Sequence, residues 1–406
     1  MTPRERLRTA LSAGAPDRVP VLPKIWVDLG ATLTGVSLQR VVEEPMTALQ
    51  VVAFAARDVG ADAARQFHFP ARRTAWSGDN RDQLIEVDGS GHRLGRIDLA
   101  GGLHTHLDDA AIFDLAEPYW SCYHHYFTAD DPFVTNLDDI RRMVVPDADF
   151  FDTEGWGERQ LHVAADVGED LCLIGDCSSA TLAFVVTMRG LERAMFDLIE
   201  NPRLVHSIME RGVEIAVAKG KYSIDLGLDV LRLNDSVANM SVISPQHWRE
   251  FILPHMRDAV SELHSYSADT LVYCHICGNV MPVLRDIMAT GIDCIGPLDP
   301  LGGFTAADAR AVVGDGVSLM GGVDTQTFVS GTPEEIVAEA KAAIEGGALW
   351  PAEAAQAPDR TGAEREEVPA AFVLGSGCVI PRTARRENLV ALRAAVEPHR
   401  AEEERR

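Results

Sequence analysis

Positive charge is scarce in this sequence. The 406 residues include 37 Lys and Arg against 61 Asp and Glu, which gives a formal net charge of -24. Nucleic acids and anionic membrane surfaces are bound by basic patches, so neither is an expected partner. The acidic residues are dispersed along the chain instead of forming blocks, a pattern that is typical of a solubilising surface.

Long apolar runs are also lacking. No run approaches the ~18 residues that a membrane-spanning helix requires. The first residues, MTPRERLRTALSAG, are polar and contain no apolar core of the kind found in signal peptides. These two absences predict a cytoplasmic protein.

The seven cysteines are few and odd in number. A disulfide framework needs paired cysteines and an oxidising compartment, so none is expected here. Each cysteine is then either a small buried residue or a candidate metal ligand.

From about residue 170 onward, short β-rich apolar runs alternate with longer amphipathic stretches. The runs are 171–175, 229–233, 270–274, 293–295, 317–320 and 371–374, and two earlier candidates are 19–22 and 65–68. Nearly continuous apolar character is typical of parallel strands buried on both faces. Eight such strands alternating with helices predict a (β/α)8 (TIM) barrel.

The whole chain, 1–406, is predicted to form one barrel domain. Residues of about 70–168 do not follow the alternation and are interpreted as a long insertion near the barrel mouth. Residues of about 351–368 are rich in Ala, Pro and charge, which predicts an exposed, mobile loop before the last strand.

Polar side chains follow the predicted strands. His275 and Cys277 follow the run 270–274, and Cys378 follows the run 371–374. Because functional residues of a barrel lie at the carboxyl ends of its strands, these distant positions are expected to converge. Imidazole nitrogen and thiolate sulfur are zinc ligands, and three protein ligands leave the open position of a catalytic site. The alternative, that both cysteines are simply buried, is not excluded by so short a pattern.

Two aspartates at other strand ends are candidate catalytic residues. Asp299 could fill the fourth zinc position, or it could cap a turn. Asp235 could accept a substrate proton or orient the ligand histidine, or it too could be a cap. The insertion adds further histidines that could bind metal or lie exposed in loops. These histidines are His68, His104, His106, His124 and His125.

The order of motifs resembles the uroporphyrinogen decarboxylase superfamily, and within it the zinc-dependent cobamide:thiol methyltransferases of the coenzyme M type. The resemblance runs from RERLRTALSAGAPDRVPV near the start, through LVYCHICGNVMPVLRDIMATGID, to FVLGSGCVIPRTARRENLVAL. Its most specific part is the pair HICGN and GSGC. The resemblance implies a (β/α)8 barrel whose zinc ligands are His275, Cys277 and Cys378.

By the same resemblance, zinc activates a thiol that accepts a methyl group from a methylcobamide on a corrinoid protein. The acceptor could be coenzyme M, another small thiol, homocysteine or a tetrahydrofolate. A homodimer or a transient complex with the corrinoid protein is expected.

Two other functions compete with methyl transfer. The first is a decarboxylase or lyase acting on a small acid. Porphyrinogen decarboxylation itself is disfavoured, because the stretch VLPKIWVDLG lacks the arginines that the decarboxylase branch carries there. The second is a non-catalytic corrinoid-handling subunit, which would have no need of an open zinc site.

Overall fold

The computed structural model describes residues 1–67, 74–77, 80–87, 93–98, 105–108, 114–118, 127–129, 131–228, 230–350 and 369–397. The strands are β1 Ala63–Arg65, β2 Thr74–Ser77, β3 Asn80–Val87, β4 Arg93–Asp98, β5 Thr105–Leu107, β6 Phe127–Ala129, β7 Cys172–Ser178, β8 Val230–Asn234, β9 Leu271–His275, β10 Cys294–Leu298, β11 Ser318–Val323 and β12 Phe372–Ser376. The helices are α1 Pro3–Leu11, α2 Val27–Thr34, α3 Leu38–Glu43, α4 Pro45–Asp58, α5 Leu137–Arg142, α6 Ala148–Thr153, α7 Trp156–Val167, α8 Leu182–Arg189, α9 Leu191–Glu200, α10 Pro202–Asp225, α11 Pro245–His247, α12 Leu253–Tyr266, α13 Leu284–Met288, α14 Ala306–Val313, α15 Thr327–Ser330, α16 Pro333–Gly347 and α17 Arg386–Val396.

Seven of the strands form one curled parallel sheet in the order β1-β7-β8-β9-β10-β11-β12. Residues 20–22 lie between its two edges. The Leu22 N–H donates to the carbonyl of Leu374 in β12 at 2.7 Å, and the Leu374 N–H donates to the Pro20 carbonyl at 2.9 Å. On the other side, the Asp62 N–H donates to the Val21 carbonyl at 2.8 Å. The short segment therefore takes the place of the eighth strand of the barrel, and the predicted barrel fold is confirmed.

Asp62 holds this closure in place. Its buried carboxylate accepts a hydrogen bond from the Val21 N–H at 2.8 Å. The same carboxylate binds Arg6 at 2.8 Å and both terminal nitrogens of Arg18 at 2.6 and 2.7 Å. A buried carboxylate is stable when paired and hydrogen-bonded in this way. It joins α1, the closing segment and β1 at one point.

Six of the eight predicted strands agree with the observed ones to within a few residues. The run 19–22 makes only an isolated bridge from Val21 to Leu374, and the run 65–68 is displaced. There β1 ends at Arg65, and His68 lies outside the described residues. Three helices begin where a residue that favours N-caps precedes proline, a pattern typical of helix starts. Ser244 and Thr332 cap α11 and α16 with their side chains. At α10 the preceding Asn201 instead donates its side-chain amide to Asp197.

Helix α1 closes the amino-terminal end of the barrel. Its apolar face packs with side chains from the first positions of the barrel strands, and the members of this interior cluster are all buried. They include Leu7, Ala10, Leu11, Ala63, Cys172, Val230, Leu271 and Cys294. Because the amino-terminal end is filled by a helix, the opposite, carboxyl end is the open mouth.

The predicted insertion, about 70–168, contains two different parts. Strands β2 to β6 form a separate sheet in sequence order, antiparallel except for the β5–β6 pair. Helix α7 packs against α4 and leads into β7, so it occupies the place of the shell helix between β1 and β7. The predicted loop at about 351–368 lies outside the described residues.

In the part of the chain that the structure describes, no helix combines the length and the apolar character needed to cross a membrane.

Replacing Leu7 by Ala should lower the free energy of unfolding by about 2–5 kcal/mol, because it leaves a cavity in the plugged end of the barrel. Chemical denaturation measures this change. Leu161→Ala, at an exposed position of α7, is the matched control and should have little effect. Equal losses in both variants would contradict the role given to α1.

Candidate metal centre

The two predicted ligand segments meet at the mouth of the barrel. His275 is the last residue of β9, Cys277 follows two residues later, and Cys378 follows two residues after the end of β12. One ligand atom from each of the three lies within 4.8 Å of the other two. Among the described residues, no other group of three His, Cys, Asp or Glu side chains is arranged so closely.

Two glycines let the backbone reach this arrangement. Gly278, directly after Cys277, has a φ of +82°, which favours glycine. At Gly377, a Cβ would lie 2.9 Å from Oδ1 and 3.0 Å from Cα of Asp299. Only a residue without a side chain allows the loop carrying Cys378 to approach β10 this closely.

The loop that carries Cys378 is also tied to the closing segment of the barrel. The Ser376 hydroxyl donates to the Cys378 carbonyl at 2.7 Å and accepts from the Lys24 N–H at 3.1 Å. The Ile380 N–H in turn donates to the Lys24 carbonyl at 3.1 Å. These bonds fix the position of Cys378 relative to Lys24.

His275 is 3% exposed, and its two ring nitrogens have different surroundings. Nε2 lies 2.5 Å from Nζ of the buried Lys24. Nδ1 is buried and has no hydrogen-bond partner among the described residues. A buried ring nitrogen without a partner is costly in a folded protein, so this atom calls for a ligand that the neighbouring side chains do not supply.

The two sulfurs shift each other's pKa in opposite directions. Their mutual hydrogen bonding raises the pKa of Cys277 and lowers that of Cys378, and the Cys277 thiol also lies 3.9 Å from the Ser236 carbonyl. The neighbouring imidazole of His275 lowers the pKa of Cys378 further, against the effect of burial. The site thus favours one thiolate beside one thiol. Since thiolate is the form that binds metals, Cys378 is already prepared for this role.

The donor set fits a zinc ion. Imidazole nitrogen and cysteine sulfur are ligand types of catalytic zinc sites. Zinc takes four ligands, so one imidazole and two sulfurs leave one position open to a substrate. A cation bound by the three side chains would supply the partner that Nδ1 of His275 lacks.

Asp299 lies beside the three ligands but is engaged elsewhere. Its two oxygens accept the N–H groups of Gly278 and Leu301, each at 3.0 Å. Burial raises its pKa. In this arrangement the carboxylate caps the turn after β10 and positions the backbone next to Cys277. Its role as a fourth ligand stays a prediction.

Asp235 caps a helix in this structure. Its oxygens accept hydrogen bonds from the Thr181 hydroxyl, from the Leu182 N–H at 2.9 Å and from the Ala183 N–H at 2.7 Å. These groups form the start of α8. Burial raises the pKa of Asp235 to about 6, while the three hydrogen bonds act in the opposite direction. The catalytic role stays a prediction.

The predicted histidine cluster is outside this centre. His106 is a half-buried residue of β5, and no close group of metal-ligand side chains among the described residues includes it. His68, His104, His124 and His125 lie outside the described residues.

Several polar residues of the barrel interior were not recognised from the sequence. Arg65, Arg232 and Tyr273 are almost fully buried, and Lys24 contacts His275. Arg232 could have been noticed as a charged residue inside the apolar run LRLN. Lys24 carries no comparable local signal, because only closure of the barrel brings it to His275.

The fold and the site together define a barrel enzyme whose mouth carries three side chains of the types that bind metal ions. The sequence profile described as uroporphyrinogen decarboxylase (URO-D) matches residues 128–399, so the chain belongs to the uroporphyrinogen decarboxylase family. The family resemblance stated from the sequence motifs is thereby confirmed.

Individual relatives come from two branches. A methylcobamide:CoM methyltransferase MtaA from Methanosarcina barkeri is 29% identical over 46% of this chain and 52% of its own length. A uroporphyrinogen decarboxylase from Chlorobium phaeovibrioides is 30% identical over 50% of this chain and 57% of its own. The chain thus spans about half the length of these curated relatives. A solved structure of a methyltransferase from Methanosarcina mazei shares the fold, with a TM-score of 0.67 over 97% of this chain and 98% of that one, at 20% identity.

The wild-type protein should contain about one zinc per chain, and Cys277→Ser and Cys378→Ser should lose it, because each removes one of three ligands. Elemental analysis of the purified proteins measures this. Cys294→Ser is the matched control, since it changes a buried cysteine of the barrel interior outside the group. Zinc retained in both ligand variants would exclude the centre.

Asp235→Asn should lower the free energy of unfolding by roughly 1–3 kcal/mol, because an amide cannot accept all three hydrogen bonds. Metal content should not change. Denaturation curves and elemental analysis of the same sample provide both values. Unchanged stability together with lost activity would instead support the catalytic role.

Proposed function

We propose that this protein is a zinc-dependent methyltransferase that moves a methyl group from a methylcobamide to a thiol or a tetrahydrofolate-type acceptor. The observation that carries the proposal is the convergence of His275, Cys277 and Cys378 at the mouth of the barrel. The relationship to methylcobamide:CoM methyltransferases supports it.

Zinc held by these three residues would supply Lewis acidity, which favours the deprotonated form of an acceptor thiol near neutral pH. The methyl group then passes to the acceptor sulfur, which provides the electron pair of the new carbon–sulfur bond. The pair of the broken carbon–cobalt bond remains on the cobalt, and the thiol proton goes to solvent.

The residues of the chain prepare the site for this chemistry. The lowered pKa of Cys378 favours its thiolate, whereas Cys277, whose pKa is raised, would have to release its proton when a metal binds. Lys24 fixes one ring nitrogen of His275 and so limits rotation of the imidazole. Asp299 anchors Gly278 and with it the backbone that follows Cys277. The ligands are therefore ordered by groups that do not themselves react.

The methyl donor requires a partner. A corrinoid is too large to lie within a barrel whose interior is filled by side chains, so it would have to approach the mouth on a carrier protein or as free methylcobalamin. We accordingly propose a corrinoid protein as the partner and the cytoplasm as the location.

The zinc-loaded protein should demethylate methylcobalamin when a thiol is added, which the absorbance change of the corrinoid measures. Cys378→Ser should lose the activity and Cys294→Ser should keep it, because only the former is a member of the ligand group. Release of carbon dioxide from a small acid without any thiol requirement would favour the decarboxylase or lyase function instead. Cobamide binding without turnover in the zinc-loaded protein would favour the corrinoid-handling subunit.

A further inference from the structure

The cysteines of the chain differ in their access to solvent. Four of the six described cysteines are buried on strands of the barrel, namely Cys172, Cys177, Cys274 and Cys294. Cys277 and Cys378 are only partly buried, and both lie beyond the carboxyl ends of their strands. A small water-soluble reagent can therefore reach these two sulfurs, whereas the packed core shields the four strand cysteines.

Burial also makes the strand cysteines poor nucleophiles. It raises the pKa of Cys177 and of Cys294, so both remain thiols at neutral pH. The thiolate is the form that attacks oxidants and disulfides, and a buried thiol therefore reacts slowly. Oxidation of the described cysteines is thus expected to be selective for Cys277 and Cys378.

The two accessible sulfurs lie close to each other. Sγ of Cys277 and Sγ of Cys378 are within 4.8 Å, although the two residues are 101 positions apart in the chain. A disulfide requires sulfurs about 2 Å apart. Neither cysteine belongs to a helix or a strand, so its side chain can rotate about the Cα–Cβ bond without breaking regular hydrogen bonding. Such rotations are the movement that closes the gap.

Groups other than the sulfurs hold the two segments side by side. The N–H of Gly278, next to Cys277, donates to Asp299 at 3.0 Å, and the Cys378 carbonyl accepts from the Ser376 hydroxyl at 2.7 Å. The Cys277 sulfur itself makes only a long contact of 3.9 Å to the Ser236 carbonyl. A rotation of the thiol toward Cys378 therefore gives up little.

We propose that Cys277 and Cys378 form a reversible disulfide under oxidising conditions and that this bond switches off the metal centre. In its consequence the proposal rests on the proposed zinc-dependent methyl transfer, because it describes the regulation of that same site. Formation of the bond requires only the two neighbouring, accessible sulfurs.

The oxidant is a hydroperoxide, of which hydrogen peroxide is the simplest. One thiolate attacks the peroxide, the O–O bond breaks, and the sulfur becomes a sulfenic acid as hydroxide leaves. The second thiolate attacks the sulfenic sulfur, which forms the S–S bond and releases another hydroxide. The two hydroxides combine with the two thiol protons to give two waters. The sulfurs lose the two electrons that the peroxide gains.

The disulfide removes two of the three metal ligands. Zinc is bound by thiolate sulfur, and the sulfurs of a disulfide are no longer thiolates. His275 alone is too small a ligand set to hold the ion, so oxidation should release it. A thiol reductant should restore both ligands by thiol–disulfide exchange. The centre is therefore complete only while both cysteines are reduced.

Disulfide formation is measured on the zinc-loaded protein, without methyl donor or acceptor. After treatment with hydrogen peroxide, the protein is unfolded in an alkylating reagent and analysed by intact mass and peptide mapping. The wild type should lose two of its seven alkylated thiols, with Cys277 linked to Cys378, and dithiothreitol should restore them. Cys294→Ser, the matched control, should form the same link, whereas Cys277→Ser and Cys378→Ser should not.

Three results would overturn the proposal at this stage. They are full retention of the thiols in peroxide, a link between other cysteines in place of Cys277 and Cys378, and oxidation of the pair to acids that dithiothreitol does not reduce.

Zinc release is followed in the same samples with a chromogenic zinc indicator. The wild type and Cys294→Ser should release about one zinc for each disulfide formed, and reduction in the presence of zinc should restore the metal content. Zinc that stays bound while the disulfide forms would contradict the switch.

The switch and the proposed function can fail separately. Methyl transfer by the reduced, zinc-loaded protein, without disulfide formation in peroxide, would refute the switch and leave the proposed function standing. Reversible disulfide formation with zinc release, without methyl transfer by the reduced protein, would refute the proposed function and leave the redox-sensitive centre established.

Discussion

Closure of the parallel sheet is the constraint on which the rest of the structure depends. It is made by a segment of three residues, 20–22, bonded to β12 on one side and next to β1 on the other. Asp62 holds the closing segment, α1 and β1 together through Val21, Arg6 and Arg18. Without this closure, Lys24 would not reach His275.

The mouth combines two chemistries at different depths. At the rim, two sulfurs and an imidazole form a ligand set that suits a soft divalent cation. One layer lower, two guanidinium groups face a single carboxylate.

The three ligand candidates could be predicted from the sequence because their motifs are local and because functional residues of a barrel lie at the carboxyl ends of its strands. His275 and Cys277 are two residues apart, and Cys378 follows a recognisable apolar run with its glycines. The same reasoning placed Asp235 and Asp299 at the mouth, but it could not decide what their oxygens bind. In the structure both accept backbone N–H groups, Asp235 at the start of α8 and Asp299 in the turn beside Gly278. The position of a residue relative to a strand can be predicted from the local sequence pattern. The groups that its carboxylate binds depend on contacts between segments far apart in the chain.

The sequence by itself determined the fold class, the order of strands and helices, and the types of ligand atoms available, because periodicity, helix caps and short motifs are local properties. The tertiary structure alone decided which distant side chains share the interior. Arg65 and Arg232 are 167 residues apart in the chain, and the pairing of β1, β7 and β8 brings both beside Phe67. The contact between Lys24 and His275 and the convergence of Cys277 and Cys378 follow from closure of the barrel, which brings separate strand ends together in space.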